Sequence, residues 1–331
     1  MSGDAKPDDV LPLVMRLLRG ERLAVAACLN DVEDRRPAAQ QRSRELLASL
    51  SQTQATGRAH RIGITGPPGV GKSSLVAALA RTFRGGQRTV GVLAVDPSSA
   101  RSGGALLGDR VRIASDGLDA GLFIRSLATR GELGGLARAA AAETLLMSAA
   151  FDVVLLETVG IGQSEIDVRE VVDTLVFVVQ PGAGDTLQHL KAGIMEVPDL
   201  FVVNKADVGP VAERARSDLK TALQSLAQAG IVEGSPPGVL STSARDGTGI
   251  AELVAQLDAR RDAALAAGTL TLARRGRAVA RAVREFSRRY GELGVERGGG
   301  TDAVRRAVEA RLAGEDVASV VLALDPFGGG P

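Results

Sequence analysis

The chain has 331 residues, 45% of them hydrophobic, enough to bury a full α/β core with flanking elements and too many for a disordered polymer. Forty lysines and arginines stand against 39 aspartates and glutamates, so no charge excess points to nucleic acid or a membrane surface. Cys28 is the single cysteine, which excludes an intrachain disulfide and a C-x-x-C metal clip and fits a reducing, cytoplasmic setting.

In chain order, Asp8 and Asp9 precede any apolar stretch, so neither a signal peptide nor an acid-poor transit peptide is expected. No run of about 18 apolar residues predicts a transmembrane helix. Leu13, Leu17, Leu23, Ala27, Leu46, Leu47 and Leu50 recur at helical spacings and predict helices over 9–20 and 21–50. Gly20 is placed to end the first, and Pro37 to separate the second from a third. A polar link at 51–60 follows.

The stretch Arg61–Val76 reads as a buried strand, a glycine loop and the first turn of a helix. Gly66 to Ser73 fits G-x-x-x-x-G-K-[ST], in which backbone N–H groups and a helix N-terminus wrap a phosphate chain. Gly66, Pro67, Pro68, Gly69, Val70, Gly71, Lys72, Ser73 and Ser74 are therefore candidate phosphate-binding residues. Lys72 would reach the β- and γ-phosphates, and the Ser73 hydroxyl would ligate a magnesium ion bridging them.

Gly85-Gly86 should end that helix. Apolar runs at 89–96, 152–157, 175–179, 200–203 and 239–242 are continuous rather than alternating, as expected for strands covered on both faces. Helical stretches are expected over 133–150, 186–196, 210–229 and 249–266. This alternation predicts an α/β P-loop NTPase with a doubly wound, mostly parallel sheet and ligands at the carboxyl ends of its strands. The expected organisation is an N-terminal helical extension at 1–57, the nucleotide (GTPase) domain at 58–266 and a C-terminal helical dimerisation arm at 267–331. In the arm, Val279, Val283, Phe286 and Tyr290 form an apolar seam, and Arg277, Arg281, Arg284 and Arg288 a cationic back. Glu292–Gly300 is a glycine-rich break, and Thr301 and Asp316 are candidate N-caps of two short helices. The seam suits either docking within the chain or a dimer contact.

The base is read from Asn204-Lys205-Ala206-Asp207, directly after the strand 200–203. A carboxylate there can accept both the ring N–H and the exocyclic amine of guanine, a donor pair that adenine lacks, so Asp207 is the expected specificity residue. Asn204 and Lys205 would shape and cover the base. Ser243-Ala244, after the next strand, would bring a backbone N–H to guanine O6. Glu157-Thr-Val-Gly160 ends another strand: Glu157 could reach the magnesium ion directly or through water, and the Gly160 N–H would touch the γ-phosphate. The next residue is Ile161, where a glutamine would orient the attacking water, so slow intrinsic hydrolysis is expected. Asp96 and Asp109 bound a glycine- and serine-rich loop and are candidates for supporting the metal or aligning water; Asp109 could instead cap a helix over 110–114. Arg125 and Arg130 fall in a stretch read as a polar loop, where either could neutralise charge or join a structural ion pair.

Gly-Ile-Thr-Gly-Pro-Pro-Gly-Val-Gly-Lys-Ser-Ser, Asp96-Pro-Ser-Ser, Ile124-Arg-Ser-Leu-Ala-Thr-Arg-Gly-Glu-Leu-Gly-Gly135, Glu157-Thr-Val-Gly-Ile-Gly-Gln-Ser-Glu165 and Asn204-Lys-Ala-Asp207 together resemble the MeaB/MMAA/ArgK family of GTPases over about 10–265. The resemblance implies a GTP/GDP- and Mg2+-dependent G-protein chaperone of an adenosylcobalamin-dependent acyl-CoA mutase, first of all methylmalonyl-CoA mutase. It implies a homodimer whose GTPase cycle gates cofactor delivery and protects or reactivates the mutase. Gly182–Lys191 looks like the family's third switch, with Lys191 as its nucleotide-sensing cation. Other readings are a switch for a different partner, a metal-insertion GTPase, or a P-loop kinase. One cysteine and the separated His60 and His189 give no soft-ligand set for metal insertion. No phosphate-acceptor site for a kinase is legible, and the position where related dimeric ATPases place an extra lysine is Pro67.

Overall fold

The computed structural model describes residues 10–51, 53, 57–96, 119–128, 135–158, 168–182, 198–230, 235–312 and 317–327. The chain divides into two compact units. One comprises Met1–Ala59, Ala141–Ala150 and Ala264–Pro331; the other comprises His60–Ala140 and Phe151–Ala263.

The second unit is built on a seven-stranded sheet: β1 (His60–Thr65), β2 (Val90–Asp96), β3 (Leu122–Ala128), β4 (Val153–Glu157), β5 (Thr174–Val179), β6 (Leu200–Val203) and β7 (Gly238–Ser241). The spatial order is β3-β2-β4-β1-β5-β6-β7, and every pairing is parallel. The chain leaves β1 toward one edge, returns through β4, and crosses β1 to reach β5. The order therefore reverses at β1, and in open parallel sheets ligands gather where it does.

Continuous apolar runs are buried on both faces here because helices cover both. Val176 and Val178 of β5 point to one face with Ile62, Ile64, Val153, Leu155 and Val202. There they pack against Leu75, Val76, Leu79 and Phe83 of α4 (Lys72–Gly85) and against Ile250, Leu253 and Leu257. Phe177 and Val179, the alternate residues, point to the other face and meet Phe201, Val203, Ala212, Leu219 and Leu223. This is the two-residue period of a strand read on both sides. Each fully buried Leu, Val or Phe contributes about 2 kcal/mol of apolar transfer free energy.

The sheet thus has one more strand than the sequence suggested. Leu122–Ala128 pairs along its whole length with β2, Leu93 facing Arg125, so Arg125 lies on a strand and not in a polar loop. Serine, arginine and a single phenylalanine at an edge give neither strict alternation nor an apolar run, which hid it. The helices expected over 110–114 and 186–196 lie outside the described residues.

In the first unit, α1 (Val10–Leu18), α2 (Arg22–Glu33) and α3 (Pro37–Ser51) follow one another. Gly20 turns the chain between the first two at φ 69°. Pro37 is the first residue of α3, where its missing N–H costs nothing. The remaining described helices are α5 (Gly135–Ala150), α6 (Pro210–Gln228), α7 (Ile250–Ala266), α8 (Thr269–Arg297), α9 (Thr301–Arg311) and α10 (Val317–Ala323).

The arm helix α8 starts before the apolar seam and breaks at Gly291, whose φ of 65° and ψ of −170° are not helical. A further turn runs to Arg297. The cap of α9 is Gly300, at φ 88°, with Thr301 inside the helix. A glycine with positive φ closes this turn, so the expected threonine cap is displaced by one residue. Asp316 lies outside the described residues. Val279, Val283 and Phe286 are buried against Val304, Val308, Leu312, Val320 and Val321, so the seam is covered by the chain's own last helices. Arg274, 6% exposed, donates to the Gly57 carbonyl at 3.2 Å and the Ala59 carbonyl at 2.7 Å. That arginine ties α8 to the segment entering β1, and no sequence motif announced it. No described helix is long and apolar enough to cross a membrane.

Candidate nucleotide-binding site

Because all strands are parallel, the residues that follow their carboxyl ends share one edge of the sheet. The glycine loop leaves β1 there. Gly66 has φ 137°, Gly69 φ 79° and Gly71 φ 94°, conformations that L side chains rarely adopt. A Cβ at Gly66 would lie 2.1 Å from the Val178 carbonyl oxygen, and one at Gly71 2.6 Å from Asn204 Nδ2. The loop is pressed onto β5 and the guanine-motif segment at two points where nothing larger than hydrogen fits. Gly71 is also the N-cap of α4, so the helix begins at Lys72 with its amide groups directed at the loop.

Lys72 is 7% exposed and donates from Nζ to Gly66 O at 2.8 Å and to Pro67 O at 3.0 Å. The Ser73 hydroxyl donates to Glu157 Oε1 at 2.6 Å. Glu157 ends β4, the neighbour of β1 in the sheet. A hydroxyl and a carboxylate converging beside a phosphate loop form a hard, oxygen-only donor pair, which suits Mg2+. Thr158, the next residue, is tied to β1 twice: its N–H to Ile64 O at 3.1 Å and its hydroxyl to Thr65 Oγ1 at 2.9 Å.

The guanine-motif segment docks on the same loop. Asn204, 2% exposed, donates from Nδ2 to Val70 O at 2.9 Å and accepts from the Thr242 hydroxyl at 3.3 Å. Lys205 sits in the left-handed region at φ 61°, uncommon for a side chain other than glycine. Its ammonium donates to Gly69 O at 2.9 Å and to Gln180 Oε1 at 2.7 Å. The left-handed turn at Lys205 leads into the short 3-10 helix Ala206–Val208, which carries Asp207.

Asp207 Oδ1 accepts the Ser243 hydroxyl at 2.9 Å, and Oδ2 lies 3.5 Å from Arg245 Nη1. The Ser243 N–H donates to Thr248 O at 2.9 Å, closing a tight loop after β7. Asp246 lies in that loop below the usual carboxylate range, first because the Thr248 N–H donates to it. With the Ser243 amide engaged, the Ala244 N–H is the loop's candidate donor to a ligand. The structure thus brings the Gly66–Ser74 loop, Glu157, Asn204, Lys205, Asp207, Ser243 and Ala244 to one edge. Asp96 ends β2, opposite Ala128; its side chain, with Asp109, Arg130, Gly160, Ile161 and Lys191, lies outside the described residues.

Sequence reasoning missed Thr65, Thr158, Gln180, Thr242 and Arg245. Most sit at the last residue of a strand or the first one beyond it, and that position in a parallel sheet was the available signal.

The geometry agrees with three kinds of similarity. The profile of a family described as methylmalonyl-CoA-mutase-associated GTPase MeaB matches residues 24–290. A Caulobacter vibrioides protein whose name places it among GTPases is 44% identical over 262 residues, 78% of this chain and 79% of that one. GTPase ArgK of Escherichia coli is 42% identical over 195 residues, 59% of this chain and 58% of that one. The mitochondrial methylmalonic aciduria type A homolog of Mus musculus is 36% identical over 252 residues, 72% of this chain and 59% of that one. A crystal structure named as an LAO/AO transport system kinase superposes with a TM-score of 0.70 at 30% identity, covering 91% of this chain and 89% of that one. The chain belongs to the MeaB family and is a guanine-nucleotide-binding GTPase with the P-loop fold.

Proposed function

We propose that this GTPase is Mg2+-dependent and serves as the chaperone of an adenosylcobalamin-dependent acyl-CoA mutase, most directly methylmalonyl-CoA mutase. The observation that carries the nucleotide half is Asp207, held by the Ser243 hydroxyl at 2.9 Å on a segment that Asn204 fastens to the phosphate loop. A fixed carboxylate at this place accepts the two donors of guanine. The mutase half rests on the family's name and on that of its mouse relative.

In the proposed mechanism the amides of Gly69–Ser74 surround the phosphates. Lys72 exchanges the Gly66 and Pro67 carbonyls for phosphate oxygens. Ser73 and Glu157 would hold the magnesium ion, which when bound neutralises charge on the β- and γ-phosphates. Asp96, Asp109 and Gly160 are the residues we assign to supporting that end of the site, and Lys191 to sensing the nucleotide. Asp207 reads the base, Lys205 covers it, and the Ala244 N–H meets O6. Hydrolysis is by positioning and charge neutralisation, and its output is a conformational change in the partner.

A homodimer and a cytoplasmic location belong to the same reading. The Val279–Phe286 seam is already buried within the chain, so a dimer would use another face. The test is GTP hydrolysis by the purified chain with and without a cobalamin-dependent acyl-CoA mutase of the same organism, with ATP and EDTA as controls. The expected result is a GTP-only, EDTA-sensitive rate well below about one per second that rises clearly with the mutase. A rate indifferent to every such mutase would retain the GTPase and discard the chaperone role.

A further inference from the structure

Gln180 follows β5 by one residue and has no part in the phosphate loop or in the guanine motif. Pro181 biases the residue before it toward extended backbone, so Gln180 continues the line of the strand toward the site. Its Oε1 accepts from Lys205 Nζ at 2.7 Å, while the same ammonium donates to Gly69 O at 2.9 Å. Lysine offers donors alone, which makes the oxygen the atom of the amide that faces it.

Lys205 therefore stands between two acceptors on two different loops. One belongs to the loop expected to hold the phosphates, and the other is a side chain fixed to the sheet. The lysine stem is long and flexible, and it loses rotamer entropy when it is held in one pose. A second acceptor lowers the chance that it leaves. The backbone of Lys205 is already in the left-handed region at φ 61°, so the residue is committed at both ends.

We propose that Gln180 is a positioning residue for guanine-nucleotide retention, holding the Lys205 ammonium against the Gly69 carbonyl so that the lysine stem covers the base before nucleotide arrives. This deepens the site reading above and rests on Lys205 covering the base. Gln180 touches no nucleotide atom in this scheme and acts through Lys205 alone.

The test uses the full chain and a fluorescent GDP analogue. Gln180→Leu removes the acceptor and keeps a similar volume; Gln180→Glu restores an acceptor for the ammonium. Gln180→Leu is expected to release GDP about tenfold faster, the loss of one hydrogen bond to a charged group. The KM for GTP should rise much more than kcat falls, and Gln180→Glu should recover most of the retention. On a Lys205→Met background, Gln180→Leu should add nothing. An unchanged GDP release rate in Gln180→Leu, or a full additional loss on the Lys205→Met background, would overturn the proposal. A Lys205→Met chain that retains GDP like the parent would instead show that the lysine does not cover the base, which separates failure of the site reading from failure of the Gln180 role.

Discussion

At the scale of single residues the site is arranged by hydrogen-bond acceptors that must each find a donor. Asp207 is the clearest case. Ser243 takes one lone pair of Oδ1 and Arg245 Nη1 stands 3.5 Å from Oδ2, which fixes the carboxylate and leaves further lone pairs for a ligand with two adjacent donors. Asp207→Asn keeps the shape and still accepts the guanine ring N–H, but presents an amide donor to the exocyclic amine. GTP should then bind about 10- to 100-fold more weakly, the cost of losing a charged hydrogen bond and setting two donors against each other. Xanthosine triphosphate, with an acceptor where guanine has its amine, should become the better substrate. Competition binding of the two nucleotides checks this, and unchanged preference for GTP would remove Asp207 from its assigned role. Gly66 and Gly71 belong to the same scale: a Cβ there would approach its neighbours to 2.1 Å and 2.6 Å, which leaves hydrogen as the one substituent that fits.

At the scale of elements, β1 carries chemistry at one end and a titratable group at the other. His60 opens the strand, fully buried, with Nε2 3.1 Å from the Thr174 hydroxyl. Its pKa is pushed down from 6.5 to about 4, first by burial, with Asp173 opposing. The unfolded chain therefore takes up this proton near pH 6.5 while the folded chain refuses it until much lower pH. The sign follows: stability is full above pH 6.5 and falls as the pH drops toward 4. Between pH 7.5 and pH 5 the loss from this one group is about 2 kcal/mol. Urea unfolding of the parent chain should show it, and His60→Gln should be less stable at neutral pH yet lose distinctly less over the same interval. Parallel pH profiles for the two would exclude His60 as the cause.

At the scale of the whole molecule, a GTPase of this fold couples binding to stability. Whatever binds the folded chain alone stabilises it by mass action, about 2.7 kcal/mol at a ligand concentration one hundred times Kd. GDP or GTP with Mg2+ should raise the melting temperature by several degrees, and ATP at the same concentration should not. A shift with ATP as large as with GTP would contradict the guanine reading at a level no single substitution reaches.

The sequence by itself determined the phosphate loop, the guanine motif, five of the strands beside β1, and the parallel α/β class. Glycines at fixed spacing, an acid four residues past a strand and unbroken valine runs are local signals whose meaning does not depend on the rest of the chain. Tertiary structure alone decided how these pieces meet. Nothing local says that Glu157 reaches Ser73 across 84 positions, that Asn204 fastens a loop 134 residues earlier, or that Gln180 and Gly69 share one lysine. The edge strand β3 also waited for the fold, because its pairing with β2, and not its own pattern, makes it a strand. The fate of the arm's apolar seam was open for the same reason: an amphipathic helix states that one face will be covered, and the partner, here α9 and α10, is set by where the chain returns.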